Sequence, residues 1–413
     1  MTAPVEVTAD GPELVRPLRI GVIAGESSGD QLGAALIDAL RERHPDVQCF
    51  GVAGPKMIGA GCEAWAHAEE LAVMGFTEVL PHLPRILRLR AELTRRFLSM
   101  RPDVFVGIDA PTFNLGVARR LKDQGIRTVQ YVAPQIWAWR QGRVRKIGRA
   151  CDLVLCLLPF ETGFYTEHGV RAVFVGHPLA DQIPLEVDRD AARAALDIDA
   201  GATVVALLPG SRVGEVERLG RDFIEAAAWL AARCPDMRFI APMATARVHE
   251  IFERKLSEVT DKPNIILLDT QAQRALAACD AALVASGTAT LETLLTRRPM
   301  VVAYRLGPVT AFLLRRLRLV KVPYFSQPNL LVGRALVPEL LQEGVSGEAL
   351  GSALLQRLGD EAYRSELAGE FEAVHRRLRM GGAGRAADAI LQCLRGVGSA
   401  GDAVRESDPC ASP

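Results

Sequence analysis

Residues 18–30 read LRIGVIAGESSGD, and this stretch decides the fold class of the 413-residue chain. Apart from Arg19, its first seven residues are apolar, which is typical of a strand buried on both faces of a parallel sheet. A Gly/Ser turn follows, and the periodic segment near residues 31–43 predicts a helix. Strand, glycine turn and helix in this order form the opening half of a Rossmann-type βαβ unit.

The same alternation recurs along the chain. Buried strands are predicted at VFVGI (104–108), TVQYV (128–132) and LVLCL (153–157). The rhythm breaks at the proline-containing segment 176–187 and restarts with strands at 203–208, 238–241, 265–268, 281–284 and 300–303. We therefore predict an α/β protein with two Rossmann-like domains that face a central cleft, followed by C-terminal helices.

The predicted boundaries divide the chain into four parts. Residues 1–17 are a flexible N-terminus, 18–185 the first domain, 186–395 the second domain with the C-terminal helices, and 396–413 a disordered tail. An apolar stripe at helical spacing from Tyr363 to Leu378 is expected in a domain core, with a partner surface as the alternative.

Composition excludes several classes of protein. Lys plus Arg and Asp plus Glu both number 49, which argues against a uniformly basic nucleic-acid binder. The eight cysteines form no CxxC pair, which excludes a disulfide scaffold. The seven histidines show no HxxH or HExxH spacing, so we expect neither a metal nor another cofactor. No segment reaches about 18 uninterrupted apolar residues, so we expect any membrane contact to be at the surface.

Two motifs follow strands of the first domain, at the sheet edge where parallel α/β sheets bind ligands. Glu26 lies in the turn GESSGD, and Asp109 directly follows VFVGI. A capping aspartate normally lies one residue before its helix, whereas Asp109 lies five residues before the predicted one, so we favour a catalytic role. The alternative is an ordinary strand-to-helix turn, with Ser28, Asp30 or Asn114 as caps.

Two further motifs end strands of the second domain and suit a phosphate-bearing ligand. LPGSR (208–212) offers N–H groups at a helix N-terminus and the guanidinium of Arg212. SGTATLE (286–292) offers small residues for close approach, and Glu292 suits ribose hydroxyls. We assign binding of a nucleotide-linked donor to Ser211, Arg212, Ser286, Gly287, Thr288, Ala289, Thr290 and Glu292. Simple capping by Ser286 and Thr288 is the alternative.

A membrane-facing surface is predicted between residues 71 and 101. The segment LAVMGFTEVL (71–80) is mostly apolar, and the following helix mixes apolar residues with six arginines and one acid, Glu92. Apolar bulk beside clustered arginine is typical of an interfacial surface on anionic lipid, and we assign the contact to Val73, Met74, Phe76 and Leu80. A core helix with a basic solvent face is the alternative.

The segment APQIWAWR (133–140) brings two tryptophans to a loop followed by a base-rich stretch. Residues 140–149 contain five bases and no acid. The pattern predicts an aromatic platform beside a phosphate or membrane site, with a solvated basic helix anchored by tryptophan as the alternative.

Together these segments resemble the lipid A disaccharide synthases, bacterial inverting glycosyltransferases of the GT-B type. The matching segments are GESSGD (25–30), GVAGPKM (51–57), ELAVMGFTEVL (70–80), GIDAPTFN (107–114), YVAPQIWAWRQGRVRKI (131–147), FVGHPLAD (174–181), LLPGSRVGEVERL (207–219), ASGTATLET (285–293) and PNLLVGR (328–334). They run over about residues 18–395.

The resemblance implies transfer of 2,3-diacylglucosamine from UDP-2,3-diacylglucosamine to the 6-hydroxyl of 2,3-diacylglucosamine 1-phosphate (lipid X). The products are the β-1,6-linked lipid A disaccharide 1-phosphate and UDP, and the reaction takes place at the cytoplasmic face of the inner membrane. By motif, Asp109 is similar to the family's essential carboxylate, and Glu26, Arg212, Glu292 and Asn329 match other functional positions, Asn329 on the donor side. Dimers with exchanged C-terminal segments occur in the family, and the sequence leaves a homodimer open.

Two other functions stay open at this point. A UDP-sugar 2-epimerase has the same double-Rossmann plan but needs no acceptor and no apolar patch. A non-catalytic lipid-binding protein needs neither Arg212 nor Glu292. For the transferase, Asp109 is the first candidate for the general base, Glu26 the second and His177 the third.

Overall fold

The computed structural model describes residues 16–72, 79–137, 141–307 and 323–395, without the side chains of residue 72 and residues 79–83. Most of the predicted flexible N-terminus and the predicted disordered tail lie outside these ranges. So do Val73, Met74 and Phe76, and the side chain of Leu80 is likewise outside the described part.

Seven described strands form the first sheet, in the order β3-β2-β1-β4-β5-β6-β7, with all neighbours parallel. The strands are β1 (Arg19–Ala24), β2 (Gln48–Ala53), β3 (Glu63–His67), β4 (Val104–Ile108), β5 (Arg127–Tyr131), β6 (Leu153–Cys156) and β7 (Ala172–Phe174). The helices are α1 (Ser27–Arg43), α2 (Pro55–Gly59), α3 (Glu69–Ala72), α4 (Val79–Met100), α5 (Pro111–Lys122), α6 (Val144–Ala150) and α7 (Pro159–Glu167).

Six described strands form the second sheet, in the order β10-β9-β8-β11-β12-β13, again parallel. After α8 (Pro178–Gln182) and α9 (Arg189–Ala194), the strands are β8 (Val204–Leu208), β9 (Arg238–Met243), β10 (Ile265–Asp269), β11 (Ala281–Ala285), β12 (Met300–Tyr304) and β13 (Glu339–Leu341). The helices are α10 (Val213–Ala231), α11 (Ala246–Ser257), α12 (Ala272–Ala278), α13 (Thr288–Leu295), α14 (Gln327–Val332), α15 (Gly347–Gly359), α16 (Glu361–Leu378) and α17 (Gly382–Leu394).

Both sheets reverse their strand order at one place, between β1 and β4 and between β8 and β11. Ala24 pairs with Ile108 in the first sheet, and Val284 pairs with Leu208 in the second. The carboxyl ends of β1 and β4 are therefore adjacent, as are those of β8 and β11. Such a switch point opens a crevice at the carboxyl ends of the strands, where open α/β sheets bind ligands. The predicted fold class is confirmed, and the motifs after these strands lie at the two switch points.

Apolar residues cover both faces of each sheet, as the unbroken apolar strands require. On the first sheet, Leu36 of α1 packs on one face, and Phe97 and Val117 of α4 and α5 pack on the other. On the second sheet, the predicted stripe of α16, including Leu367 and Phe371, is buried in the core. The core interpretation of that stripe is therefore confirmed.

The last helix, α17, packs on the first domain, although the predicted boundaries place it in the second domain (186–395). Ala386 and Ile390 of α17 are buried against the first sheet, not the second. Arg43 of α1 pairs with Asp388 of α17 at 2.5 Å. The reason is physical, because the apolar face of α17 covers β5 and β6, whose buried residues would otherwise face water on that side.

Only part of α4 is exposed enough to belong to the predicted membrane-facing surface. Leu71, Leu93 and Phe97 are buried, and the Phe97 ring packs edge-on against Phe105 with ring centroids 5.3 Å apart. Leu87, in the N-terminal half of the helix, is 43% exposed. The C-terminal half of α4 is thus a core helix. In the described ranges, no helix has the length and apolar character that crossing a membrane requires.

Candidate active site

Asp109 lies at the first switch point in an unusual backbone conformation. Its φ is +52°, and that of Ala110 is +38°. Two successive residues other than glycine in this region cost roughly 1–3 kcal/mol each and persist only where the surroundings hold them. The Asp109 N–H donates to the Tyr131 carbonyl at 2.9 Å, and its carbonyl accepts from Asn114 Nδ2 at 2.8 Å and Gln130 Nε2 at 3.0 Å. Asn114, expected as a helix cap, instead supports the backbone of Asp109.

The GESSGD turn packs directly against this backbone. A Cβ added to Gly25 would lie 2.5 Å from the Cβ of Ala110, so the two motifs meet where only glycine fits. Glu26 is exposed and precedes α1 without a side-chain capping bond. Asp30, a predicted cap for the same helix, instead accepts from the N–H groups of Gly54, Lys56 and Met57 at 2.9–3.0 Å and caps α2.

A cleft of about 190 Å³ opens beside Asp109 and is lined by residues from both domains. Its polar lining includes Asp109, Glu161 of α7, His177 before α8 and Gln327 of α14. Within the described part of the chain, Gln327 Oε1 is buried and has no hydrogen-bond partner. A buried acceptor without a donor is costly, so this oxygen suits a donor supplied by a ligand.

Burial shifts the pKa of three of these groups. It raises the pKa of Asp109 above its ordinary value, although the Ala110 N–H lowers it in part. Burial raises the pKa of Glu161 to about 7, against the hydrogen bonds from the Leu158 N–H and Trp137 Nε1. Burial lowers the pKa of His177 to about 4, so its ring is neutral at pH 7.

Glu161 and Gln327 were not among the predicted site residues. Glu161 is the third residue of α7, where an acidic residue is expected as a simple helix cap, so the argument that selected Asp109 does not select it. Trp137, expected in an aromatic platform, donates from Nε1 to Glu161 at 3.1 Å and packs edge-on against Phe160 at 4.9 Å. It therefore holds Glu161, while Trp139 lies outside the described residues.

The first turn of the second switch point is built around Glu215. Its Oε2 accepts from the N–H groups of Ser211 at 3.0 Å and Arg212 at 3.2 Å. These two N–H groups are thus occupied, which corrects the expectation that the turn offers them to a phosphate. The Arg212 side chain is 85% exposed, with its guanidinium 3.6 Å from Glu215. This turn therefore offers a ligand the exposed Arg212 guanidinium, and not the N–H groups of Ser211 and Arg212.

The second turn presents an open helix N-terminus. A Cβ added to Gly287 meets no described atom within 4 Å, and Gly287 and Thr288 are both exposed. Ser286 Oγ donates to the Phe325 carbonyl at 2.9 Å, so it does not cap α13. Ala289 is half-buried behind it. A ligand can approach this backbone closely.

Two residues that were predicted to bind the donor instead form hydrogen bonds within the protein. Thr290 is fully buried, and its N–H and hydroxyl both donate to the Gly287 carbonyl. Asn329 is 1% exposed; its amide donates to the Val337 carbonyl and Glu339, and its oxygen accepts the N–H groups of Leu336 and Val337. Both residues position the turns beside them, since their polar atoms are already engaged.

Glu292 lies one turn into α13, half-buried, and burial raises its pKa. Of the SGTATLE residues, Gly287 and Thr288 are thus exposed at the N-terminus of α13, and Glu292 is half-buried one turn further along.

Two Rossmann-like domains, one with a half-buried carboxylate at its switch point and one with an open helix N-terminus, form a fold of the GT-B type. The fold agrees with two solved structures. The glycotransferase of kitacinnamycin matches with a TM-score of 0.59 and 18% identity, covering 92% of this chain and 100% of that one. A UDP-GlcNAc 2-epimerase from Neisseria meningitidis matches with a TM-score of 0.57 and 13% identity, covering 91% and 99%.

Sequence comparison then selects one family within this class. The family model described as lipid-A-disaccharide synthetase matches residues 20–389. The lipid-A-disaccharide synthases of Azotobacter vinelandii and Pseudomonas aeruginosa are 54% and 52% identical, each covering 91% of this chain and 98% of the relative. The chain belongs to the lipid-A-disaccharide synthetase family and is a glycosyltransferase.

Proposed function

We propose that the chain transfers 2,3-diacylglucosamine from UDP-2,3-diacylglucosamine to the 6-hydroxyl of 2,3-diacylglucosamine 1-phosphate. The products are UDP and the β-1,6-linked disaccharide 1-phosphate of lipid A biosynthesis. Family membership supports the donor and the acceptor. The observation that carries the proposal is the cleft in which Asp109 of the first domain meets Gln327 of the second.

Asp109 is assigned as the general base. Inversion requires the acceptor hydroxyl to attack the anomeric carbon from the face opposite UDP, and a sugar hydroxyl is a poor nucleophile until its proton is accepted. A carboxylate within about 3 Å of that hydroxyl accelerates the step by about 10²–10⁴-fold. The raised pKa of Asp109 supports this role, because a base is most effective when its pKa approaches the working pH.

The other two candidates are assigned lesser roles. Glu26 is exposed beside the Asp109 backbone and suits orientation of the acceptor. His177 Nδ1 accepts the Leu179 N–H at 3.2 Å, so the neutral ring carries its hydrogen on Nε2. His177 therefore donates to a ligand in the cleft and does not take a proton.

The second switch point is assigned to UDP. Negative charge grows on the diphosphate as the glycosidic bond breaks, and we assign its stabilisation to the exposed Arg212 guanidinium and the N-terminus of α13. Ser211, Ser286 and Ala289 shape the two turns, and Glu292 accepts from the ribose. Because these groups supply the positive potential, we expect full activity in EDTA, and a requirement for added Mg²⁺ would contradict the assignment.

Contact with the inner membrane at its cytoplasmic face is part of the proposal. Acylated substrates do not cross water freely, and the exposed Leu87 with the exposed Arg85 and Arg88 continues the segment assigned to lipid. Changing Val73, Met74, Phe76 and Leu80 together to Ser is expected to release the protein from vesicles containing phosphatidylglycerol. Ile58→Ser with Ile266→Ser, both 40% exposed elsewhere, is the matched control. Unaltered partitioning of the fourfold variant would refute the contact.

A homodimer is proposed on the family resemblance alone. Light scattering of the purified chain is expected to give twice the mass of one chain. The mass of a single chain at micromolar concentration would contradict it.

Mass spectrometry of the products tests the reaction. The purified chain is incubated with the UDP-linked donor alone, with the acceptor alone and with both. We expect the disaccharide 1-phosphate and UDP only when both are present. Conversion of the UDP-sugar without acceptor would favour the epimerase alternative, and binding without any product would favour the lipid-binding one.

A further inference from the structure

A larger cavity, of about 790 Å³, lies beside the cleft between α4, α5 and α6. Pro111 and Pro134 line both spaces, so the cavity adjoins the cleft at these two residues. Pockets for small molecules usually measure about 300–1,000 Å³. The cleft, at about 190 Å³, falls below that range, whereas the cavity falls within it. A ligand that reaches Asp109 therefore needs the adjoining space for most of its bulk.

The cavity has an apolar floor and a basic rim. Leu115, Ile136 and Ile147 form part of the floor, and Ile136 and Ile147 are buried. The rim is made of bases from three helices and the turn before α6: Arg90, Arg119, Arg120, Arg143, Lys146 and Arg149. The lining drawn from the described residues contains no carboxylate.

Most of these bases form no ion pair with an acidic side chain among the described residues. Arg119 pairs with Asp123 at 3.0 Å and also donates to the Arg149 carbonyl. Among the ion pairs found in residues 16–72, 79–137, 141–307 and 323–395, none involves the other five. Like charges gathered around one cavity create a strong positive potential, which a bound anion relieves.

We propose that this cavity binds the phosphate of the acylated acceptor at its basic rim, with acyl chain against its apolar floor. The inference rests on the proposed transfer reaction and names the place of the acceptor in it. Diphosphate of the donor is assigned to the second domain, so the first domain's bases are available to the other anionic substrate.

The chemistry of the rim matches a phosphomonoester. Such a group carries a charge of about −1.5 to −2 at neutral pH. Arginine binds its oxygens through two parallel N–H bonds, whereas lysine binds as a point charge. A hydrocarbon chain in contact with Leu115, Ile136 and Ile147 gains hydrophobic stabilisation that a free phosphate does not.

Acceptor selectivity in mixed micelles tests the proposal. The variant is Arg143→Gln with Lys146→Gln, both exposed on the rim. The charge-matched control is Lys262→Gln with Arg364→Gln, both exposed in the second domain. Each protein is given the acceptor with its 1-phosphate and the same diacylglucosamine without it. Thermal unfolding of both variants verifies that they fold.

We expect the rim variant to raise the KM for the phosphorylated acceptor by at least about tenfold, the scale of losing one hydrogen bond to a charged group. Its KM for the UDP donor and for the phosphate-free acceptor stays near wild type, so the preference for phosphate shrinks. The control keeps that preference. A rim variant that keeps the full preference would overturn the proposal.

Two further measurements distinguish acceptor binding in the cavity from binding of bulk membrane lipid, and test the cavity separately from the proposed reaction. If the rim variant loses binding to phosphatidylglycerol vesicles but keeps its phosphate preference, the cavity holds bulk membrane lipid and the proposal is overturned. Equilibrium binding of the phosphorylated acceptor without donor tests the cavity independently of turnover. Binding that depends on the rim but yields no transfer would sustain the cavity and refute the proposed reaction.

Discussion

The crevice between β1 and β4 and the crevice between β8 and β11 occupy equivalent places in two sheets of the same strand order, yet their surroundings differ. The first is tightly packed: Ala110 leaves no room for a Cβ on Gly25, Asp109 has a left-handed backbone, and burial raises the pKa of Asp109. The second is open: Gly287 has free space around it, and Arg212 is 85% exposed.

The difference follows from what each half of the proposed reaction needs. A general base works best where burial disfavours its ionised form, and burial requires close packing around it. A diphosphate arrives fully charged and needs a wide approach to fixed positive groups. In the proposed reaction, one switch point is assigned to proton transfer and the other to anion binding, and the residues that follow the strands carry both assignments.

The largest expected effect comes from Asp109→Asn. Removing the base lowers kcat by about 10²–10⁴-fold, while the free energy of unfolding is unchanged or higher, since burial already disfavours the carboxylate. Steady-state kinetics and thermal unfolding measure the two quantities. Turnover near wild type in Asp109→Asn, together with its collapse in Glu26→Gln, would move the base role to Glu26.

Arg212→Ala tests the second crevice. Loss of an electrostatic donor to the leaving group lowers kcat by roughly 10²-fold. Arg221→Ala is the matched control, because Arg221 lies in α10, the helix that Arg212 immediately precedes, is exposed and pairs with Glu225 at 2.8 Å. Equal activity of the two variants would remove Arg212 from the donor site.

Two glycine substitutions probe the packing contrast directly. Gly25→Ala places a Cβ 2.5 Å from that of Ala110 and is expected to cost about 1–3 kcal/mol of stability, with loss of turnover as Asp109 shifts. Gly287→Ala meets open space and should change stability by less than about 0.5 kcal/mol while weakening UDP binding. Chemical denaturation measures the free energy of unfolding of both variants. Equal destabilisation by the two substitutions would contradict the difference in packing between the two crevices.

Glu161→Gln is expected to change how the free energy of unfolding depends on pH. Burial raises the Glu161 pKa from an ordinary 4.5 to about 7, so the folded state binds the extra proton between these values. Its contribution to stability is present below about pH 4.5 and is lost as the pH rises through about 7, at no more than about 1.4 kcal/mol per pH unit.

The stability difference between wild type and Glu161→Gln should therefore fall from pH 4.5 to pH 7. His177 works in the opposite direction, because its lowered pKa of about 4 removes stability as the pH falls from 6.5. Its contribution is common to both proteins and cancels in the difference. A difference that is flat with pH would show that folding does not raise the pKa of Glu161.

Much of this arrangement could be predicted from the sequence because it is local. The predicted strand VFVGI coincides with β4, and the residues after β4 and β11 lie at the switch points as expected. These features depend on apolar runs and on the turns that end them.

What could not be predicted depends on contacts between distant residues. Gln327 reaches the Asp109 cleft from the other domain, and α17 returns to the first sheet after the chain has completed the second. A second group of contacts is closer in sequence but equally unpredictable from it. Asn329 and Asn114 have residue types that suit ligands or caps, yet the side-chain amide of each bonds backbone groups five to eight residues away. Spacing alone does not reveal such partners.

Equilibrium affinity for UDP, measured by calorimetry on Asp109→Asn and Arg212→Ala, tests the division of labour between the two crevices most directly. The account predicts that Asp109→Asn binds UDP as tightly as wild type although its turnover is lost, whereas Arg212→Ala binds UDP at least about tenfold more weakly. Weakened UDP binding in Asp109→Asn, or unaltered binding in Arg212→Ala, would contradict it.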